Sequence, residues 1–222
     1  MIAVLDYGIG NLRSAEKALQ HVGADARLVS DPSAAAGADG VVLPGVGNFG
    51  RCMSALRDSG LDRAALDAIA SGTPFLGICV GMQMLYEGSE ESPGVPGLGV
   101  LEGAVGRLSG GVKHPQMQWN TLHLLNARHP LVAGLGPEPW MYFVHSYAPR
   151  WEPGLDGPGR GGAGLVVATC DYGAPVIAAV ARGPVWATQF HPEKSGASGL
   201  RMLANFAAAV ARAAGVAGAP EA

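Results

Sequence analysis

The sequence contains little charge. Asp, Glu, Lys and Arg make up 15% of the 222 residues, and the formal net charge is −3. Surfaces that bind nucleic acid carry a clustered excess of Lys and Arg, so we expect no nucleic acid among the partners. No apolar run approaches the roughly 18 residues that a membrane-spanning helix requires, and we therefore expect no membrane association.

Cysteine is also scarce. Cys52, Cys79 and Cys170 are an odd number at wide spacing, which does not form a disulfide framework. Residues 1–6 lack the basic segment with which a secretory signal begins, and they predict a buried strand instead. Free thiols are typical of a reducing compartment, so we expect a cytoplasmic protein in which one cysteine can act as a nucleophile.

Neither a metal site nor a cofactor site is expected. The residues that lack the convergent spacing of metal ligands are His114, His123 and His129. Segment 149–164 contains a nominal G-x-G-x-x-G, but no helical pattern follows it, and Pro158 lacks an amide that could face phosphate. We interpret this segment as a surface loop.

The first half of the chain alternates apolar strands with helical patterns. The predicted strands are Ile2–Leu5, Ala26–Val29, 40–43 and 73–78. Helical periodicity begins after Asn11, which is a favoured capping residue, and again at Leu61 and Val80. This order is typical of an α/β fold with a mainly parallel central sheet and helices on both faces.

The second half predicts a smaller antiparallel sheet region and a closing helix. Its predicted strands are 99–108, 121–125, 141–148, 165–170, 176–181 and 185–190. The apolar face of the closing helix consists of Leu200, Leu203, Ala207 and Val210. No linker or repeat interrupts the chain, so we expect a single domain over residues 1–214 and a frayed tail at 215–222.

The sharpest motif is Gly77-Ile78-Cys79-Val80-Gly81, between an apolar strand and a helix. This pattern in this setting is typical of a nucleophile elbow, a strained turn that exposes the nucleophile at the edge of the sheet. The helix N-terminus that follows favours an anionic sulfur. Cys79 is therefore the predicted nucleophile, whereas Cys52 and Cys170 are interpreted as buried, inert thiols.

Two further motifs follow predicted strands. In Gln189-Phe190-His191-Pro192-Glu193-Lys194, the imidazole of His191 can accept and return the thiol proton, and Glu193 can fix its tautomer. In Pro44-Gly45-Val46-Gly47, the Val46 amide is predicted to join the Val80 amide as an oxyanion donor. Because glycines flank Val46, its peptide can rotate, and we expect weak turnover until a partner aligns it.

In this order the three motifs resemble the class I, triad-type glutamine amidotransferases over residues 2–212. The segments that resemble the branch of this family serving histidine biosynthesis are 6–14, 117–120, 142–147 and 187–195. The chain departs from that branch at Gln118, where relatives usually carry glycine. This substitution raises the question of which backbone conformation the segment adopts.

The resemblance implies an activity and a partner. Cys79 would be the nucleophile, His191 the general base and acid, and Glu193 the orienting carboxylate in the hydrolysis of glutamine to glutamate and ammonia. A (β/α)8-barrel cyclase subunit, in a heterodimer with this chain, would use the ammonia to make imidazole glycerol phosphate and aminoimidazole carboxamide ribotide. The implied substrate-binding positions are Gly47, Gln83, Ser146 and Tyr147, and the implied interface positions are Asn11, Trp119, Tyr142 and Lys194.

Three other functions fit the residues alone. They are a stand-alone cysteine amidohydrolase or peptidase of this fold, an amidotransferase subunit of another synthase, and a non-catalytic interaction subunit. Trp119 and Tyr142 could be core aromatics, Lys194 a solvated cation and His145 a structural histidine. An electrophilic glutamine analogue discriminates between these readings, because an amidotransferase should be labelled at Cys79 alone.

Overall fold

The fold is described from a computed structural model, which describes residues 1–150 and 165–215. Most of the segment 149–164 and residues 216–222 of the predicted tail lie outside the described residues. The strands are β1 (Ile2–Leu5), β2 (Ala26–Val29), β3 (Gly40–Gly45), β4 (Phe75–Cys79), β5 (Gly88–Ser89), β6 (Ala104–Arg107), β7 (Gln116–Thr121), β8 (His123–Leu124), β9 (Trp140–His145), β10 (Tyr147–Pro149), β11 (Leu165–Asp171), β12 (Pro175–Arg182) and β13 (Val185–Thr188). The helices are α1 (Leu12–His21), α2 (Pro32–Ala35), α3 (Phe49–Asp58), α4 (Leu61–Ala70), α5 (Val80–Met84) and α6 (Gly196–Ala213).

Eight strands form the central sheet, in the order β2-β1-β3-β4-β13-β12-β11-β8. The five strands from β2 to β13 are parallel, and the remaining three pair antiparallel. Strands β1, β3 and β4 are buried along their whole length, as expected for parallel strands covered on both faces. The predicted α/β fold class is confirmed.

The helices lie on the two faces because the chain reverses direction across the sheet. It moves from β1 to β2 through α1, and then in the opposite direction to β3 and β4 through α2, α3 and α4. Since such crossovers are right-handed, the reversal places α1 on one face and α2, α3 and α4 on the other. Helix α6 packs against α1. In open sheets of this kind, ligands bind beyond the carboxyl ends of the strands near the reversal.

The second half differs from its prediction in several strand boundaries. The predicted strand 99–108 is reduced to β6, because Gly99 and Gly103 have positive φ angles of 65° and 89°. The predicted strand 141–148 is divided at Ser146 into β9 and β10, and the predicted strand 121–125 is only the short β8. Strand β13 ends at Thr188, before the predicted end at 190.

Four elements had no counterpart in the prediction, namely the short α2 and β5, the helix α3 and the strand β7. Strand β7 pairs antiparallel with β9 to form a two-stranded ribbon, which we call the β7–β9 ribbon. Its sequence, QMQWNT, lacks the apolar character by which the other strands were predicted. Helix α3 was also not predicted, although Asn48 caps it by accepting a hydrogen bond from the Arg51 amide at 3.1 Å. No helix in the described part of the chain is long and apolar enough to cross a membrane.

Candidate active site

Cys79 occupies a strained turn between β4 and α5. Its φ of 55° and ψ of −111° make it the one non-glycine residue with positive φ among those the structure describes. Glycine is required beside it, because a Cβ on Gly81 would lie 1.8 Å from the carbonyl oxygen of Leu43 on β3. A Cβ on Gly77 would lie 3.0 Å from the Gly81 carbonyl. The elbow therefore exists because α5 begins in contact with the neighbouring strand.

The strand register brings the three motifs to one edge of the sheet. Gly45 on β3 pairs with Cys79, and Thr188 on β13 pairs with Ile78. The loops that follow β3 and β13 therefore lie on either side of the elbow, around a cavity of about 150 Å³. The predicted site residues that line it are Val46, Gly47, Cys79, Val80, Gln83, Ser146, Tyr147 and His191.

His191 and Glu193 form a buried pair beside this cavity. His191 Nδ1 lies 2.8 Å from Glu193 Oε1, and both side chains are only 2% exposed. The carboxylate can only accept, so Nδ1 carries the proton in this contact. The other ring nitrogen, Nε2, is buried without a partner in the described structure. The arrangement leaves one imidazole nitrogen available to exchange a proton in the cavity.

The pKa of His191 reflects competing effects. Burial lowers it, but the interactions of the ring with Cys79 and Glu193 together raise it to about 10. The imidazole is therefore protonated at neutral pH beside Cys79 and Glu193. A protonated imidazole in that position can act as a general acid toward a leaving group.

Asn11 does not act as the predicted helix cap. It lies at the N-terminus of α1, but its side chain makes no capping hydrogen bond. Its Nδ2 instead donates to Glu193 Oε1 at 3.1 Å. The same carboxylate oxygen thus accepts from both Asn11 and His191, which explains why the sequence places an amide, rather than an apolar residue, beside a buried carboxylate.

Two side chains donate hydrogen bonds to backbone carbonyls of the segment at the end of β3 and in the loop that follows it. The Tyr7 hydroxyl donates to the Pro44 carbonyl at 2.6 Å, and the Cys52 thiol donates to the Val46 carbonyl at 3.3 Å. The Val46 carbonyl and the Gly47 N–H belong to the same trans peptide and point in opposite directions. The Gly47 N–H therefore points away from Cys52. Burial raises the pKa of Cys52 to about 11 and that of Cys170 to about 12. Both thiols are therefore neutral at neutral pH, whereas Cys79 is the cysteine predicted to act as an anionic nucleophile.

Two titratable residues of the cavity lining were not assigned a role in the site by the sequence analysis. Glu91 contributes a carboxylate to the cavity lining, and its Oε2 accepts from the Phe49 amide at 2.7 Å. His145 also lines the cavity; its Nδ1 lies 2.9 Å from the Tyr147 carbonyl, and its Nε2 is buried without a partner in the described structure. Burial lowers the pKa of His145 to about 4. No local sequence signal marks either residue, since both reach the cavity only through tertiary packing.

The four predicted interface residues lie between the triad and the outer surface. Trp119 and Tyr142 are paired across the β7–β9 ribbon, with ring centroids 6.0 Å apart. Trp119 is 48% exposed, and Lys194 is exposed in the turn beside His191. Asn11 is partly buried against Glu193, as described above. Trp119 is therefore not a core aromatic.

The outer face of the β7–β9 ribbon includes exposed apolar residues that the sequence analysis did not name as interface positions. Cross-strand pairing places Met117, Trp119 and Trp140 on the same face, and Met117 and Trp140 are 64% and 55% exposed. Gln118 lies in regular strand geometry without a positive φ, so this position does not require glycine. An exposed apolar face of this kind is typical of a protein–protein interface.

Comparison with known proteins defines the class. Residues 3–210 match the family described as glutamine amidotransferase class-I. A solved structure described as a glutamine amidotransferase superposes with a TM-score of 0.72 at 25% identity, covering 97% of this chain and 99% of the other. The glutaminase domain of Trypanosoma brucei CTPS superposes with a TM-score of 0.66 at 18% identity, covering 95% and 93%.

Curated relatives identify the family within this class. The imidazole glycerol phosphate synthase subunit HisH of Symbiobacterium thermophilum is 48% identical over 205 residues, which cover 92% of each chain. The HisH subunit of Deinococcus radiodurans is 46% identical over 208 residues, again covering 92% of each chain. The chain therefore belongs to the class I glutamine amidotransferases and, within them, to the family of HisH subunits.

Proposed function

We propose that the chain hydrolyses glutamine to glutamate and ammonia and passes the ammonia to a cyclase subunit of imidazole glycerol phosphate synthase in histidine biosynthesis. The observation that carries this proposal is the geometry at one sheet edge. There Cys79, in its strained elbow, and the unpartnered Nε2 of His191 face the same cavity, while Glu193 holds the other imidazole nitrogen. This is the arrangement of a cysteine nucleophile with its acid–base partner.

The reaction follows from these positions. The ionised sulfur of Cys79 attacks the carbon of the substrate carboxamide, and the amides of Val46 and Val80 are assigned to the oxyanion that forms. His191 gives its proton to the nitrogen, the C–N bond breaks, and ammonia leaves a glutamyl thioester. The neutral imidazole then takes a proton from water, whose oxygen attacks the thioester and releases glutamate and the sulfur anion. These groups fill every role, so we assign no metal or cofactor.

The cavity fits a free amino acid. Glu91 provides a carboxylate that can pair with an ammonium group at the end of the substrate remote from Cys79. Gln83 directs its Nε2 to the Tyr147 carbonyl at 2.8 Å, so contact with substrate falls to its amide oxygen. Gly47 has a φ of 88° and no atom within 4 Å of a built Cβ, which leaves its backbone open to the ligand. We assign Ser146 to the opposite wall of this subsite.

The proposed partner is the cyclase subunit, in a heterodimer, and we propose that it has the (β/α)8-barrel fold. The outer face of the β7–β9 ribbon, with Asn11 and Lys194 beside it, is the surface assigned to this contact. It is apolar rather than basic, which supports a protein partner over nucleic acid or a membrane. Since Cys52, Cys79 and Cys170 are all free thiols, the cytoplasm is the proposed compartment.

The test is ammonia release from glutamine, measured for the wild-type chain and for Cys79→Ala, with and without the purified cyclase subunit. We expect wild-type release to rise in the presence of the cyclase and the variant to release none. High release without the cyclase, unchanged by its addition, would favour a stand-alone amidohydrolase. No release in any mixture, and no labelling of Cys79 by an electrophilic glutamine analogue, would contradict an enzymatic role.

A further inference from the structure

We propose that Gln189 donates an N–H hydrogen bond to the sulfur of Cys79 and stabilises the thiolate on which the proposed function rests. The contact is present in the structure, where Gln189 Nε2 lies 3.8 Å from Cys79 Sγ. Gln189 is completely buried, and its backbone amide donates to the Ala178 carbonyl at 2.8 Å. The side chain is therefore held by the sheet and is unable to reach solvent.

The orientation of the Gln189 amide is fixed by its neighbours. The Tyr147 carbonyl can only accept, so the atom of Gln83 that lies 2.8 Å from it must be the amide nitrogen. That nitrogen also donates to Gln189 Oε1 at 3.1 Å. With its oxygen engaged by Gln83, Gln189 must direct its own NH₂ group toward Cys79. On the side of Gln189 the sulfur therefore faces a donor, and on another side it lies 4.0 Å from the Val144 carbonyl oxygen.

A donor in this position discriminates between the charge states of sulfur. An N–H bond to an ionised acceptor is roughly twice as strong as one to a neutral acceptor, so the contact favours the thiolate over both the thiol and the thioester. It is strongest before attack and after the thioester is hydrolysed. Gln189 thereby assists formation of the nucleophile and departure of the sulfur from the acyl group.

Other charged or titratable groups surround the same sulfur and must be separated from this effect. Tyr7 lies two residues after β1, Cys52 lies on α3 and His191 follows β13, and all three interact electrostatically with Cys79. Glu91 and His145 face the shared cavity. A substitution at Gln189 leaves all five groups in place, so a change in thiol reactivity reports the amide itself.

The test measures the alkylation rate of Cys79 by iodoacetamide between pH 5 and 9 in the full chain, with peptide mass spectrometry to distinguish the three cysteines. Gln189→Met removes the donor with little change in volume. Because a hydrogen bond to a charged acceptor is stronger than one to a neutral acceptor, we expect the midpoint of the alkylation profile to move upward by about one pH unit or more. On the acid side of the profile the rate should fall roughly tenfold.

The chain provides a matched control in Gln116, which is also completely buried and donates from Nε2 to the Cys170 sulfur at 3.9 Å. Gln116→Met should leave the Cys79 profile unchanged. Equal profiles for Gln189→Met and Gln116→Met would overturn the proposal. If Gln189→Met does not fold, Gln189→Leu removes the same donor with another apolar side chain, and a wild-type profile in that variant would also overturn it.

This measurement is independent of glutamine turnover. If the wild-type chain with its cyclase releases no ammonia, the proposed function fails, yet the alkylation profiles still show whether Gln189 acts on the sulfur. If ammonia is released and the Gln189→Met profile is that of the wild type, the proposed function stands and the role of Gln189 is wrong.

Discussion

Two positions at the elbow, Cys79 and Gly81, differ in whether the backbone leaves room for a side chain. Cys79 carries a side chain at a φ where L residues are rare, whereas Gly81 can carry none because Leu43 O occupies the space of its Cβ. The strain at Cys79 is tolerated because the contact between α5 and β3 determines the backbone on both sides. The backbone of the proposed nucleophile is thus positioned by the packing of its neighbours.

His145 makes a residue-scale prediction about stability at low pH. Burial lowers its pKa to about 4 in the folded chain, against about 6.5 in an unfolded one. The unfolded state therefore binds the proton first, so this contribution to stability is complete above pH 6.5 and is lost as the pH falls toward 4. Between pH 7 and pH 5 we expect a loss of about 2 kcal/mol in the free energy of unfolding from this group.

The comparison variant is His145→Gln, which can still donate to the Tyr147 carbonyl but does not titrate. Urea unfolding of both proteins at pH 7 and pH 5 isolates the histidine, because the carboxyl groups are common to both. The assignment is wrong if the two proteins lose the same stability over this interval.

At the scale of elements, α6 packs against the turn that follows His191 and contains Glu193, two residues of the proposed triad. A Cβ on Gly199 would lie 1.9 Å from the Pro192 carbonyl oxygen. The turn Pro192–Lys194 contains Glu193 and follows His191 directly. The closeness of the helix to this turn therefore determines where the imidazole and the carboxylate lie relative to Cys79.

Gly199→Ala should disturb the site from outside it. The added methyl group must displace the backbone of the turn, so we expect unfolding to require about 1–3 kcal/mol less. A shift of about 1 Å in catalytic groups can reduce turnover about 100-fold, and we expect ammonia release by the complex to fall by at least tenfold. Thermal unfolding and the ammonia assay measure the two effects.

Ser198→Ala is the control for this prediction, since it lies one residue away in the same helix and adds no atom. It should retain near wild-type turnover. Wild-type turnover in Gly199→Ala would show that the turn adapts without moving His191 or Glu193.

For the whole molecule, the β7–β9 ribbon is the feature that a single folded chain does not explain. Met117, Trp119 and Trp140 are each about half exposed or more, whereas the β9 residues on the opposite face of the ribbon, including Phe143, are buried. Large apolar side chains on one continuous face are stabilised when a partner covers them. The site and this face are adjacent, so a partner bound there would lie next to the cavity.

Trp119→Ala and Trp140→Ala should each weaken binding of the cyclase subunit about tenfold or more, because exposed tryptophans of this kind are frequent hot spots. The free energy of unfolding of the isolated chain should change by less than about 1 kcal/mol, since neither side chain is in the core. Isothermal titration calorimetry and urea unfolding measure these quantities.

The matched control is Leu125→Ala, which removes a 44% exposed apolar side chain beside β8, at the edge of the central sheet. It should not change the affinity for the cyclase. Equal losses of affinity for Leu125→Ala and the two tryptophan variants would place the interface elsewhere.

Local signals explain which parts of the molecule could be predicted from sequence. The apolar runs at β1, β3 and β4 and the glycines around Cys79 are local features, so the parallel half and the elbow follow from them. The ribbon could not be predicted in the same way, because Gln116–Thr121 is polar and becomes a strand only by pairing with β9. Gln189, Glu91 and His145 likewise reach Cys79 only through the assembled fold.

The hydrogen bonds of Tyr142 link the ribbon rigidly to the triad. Its carbonyl accepts from the His191 amide at 3.0 Å, and its amide donates to the Ser195 hydroxyl, also at 3.0 Å. Both ends of the catalytic turn are thereby attached to one residue of β9, whose ring faces outward beside Trp119. A tilt of the ribbon would carry the imidazole with it, so mechanical force applied at the molecular exterior reaches the proposed proton-transfer group through a single residue.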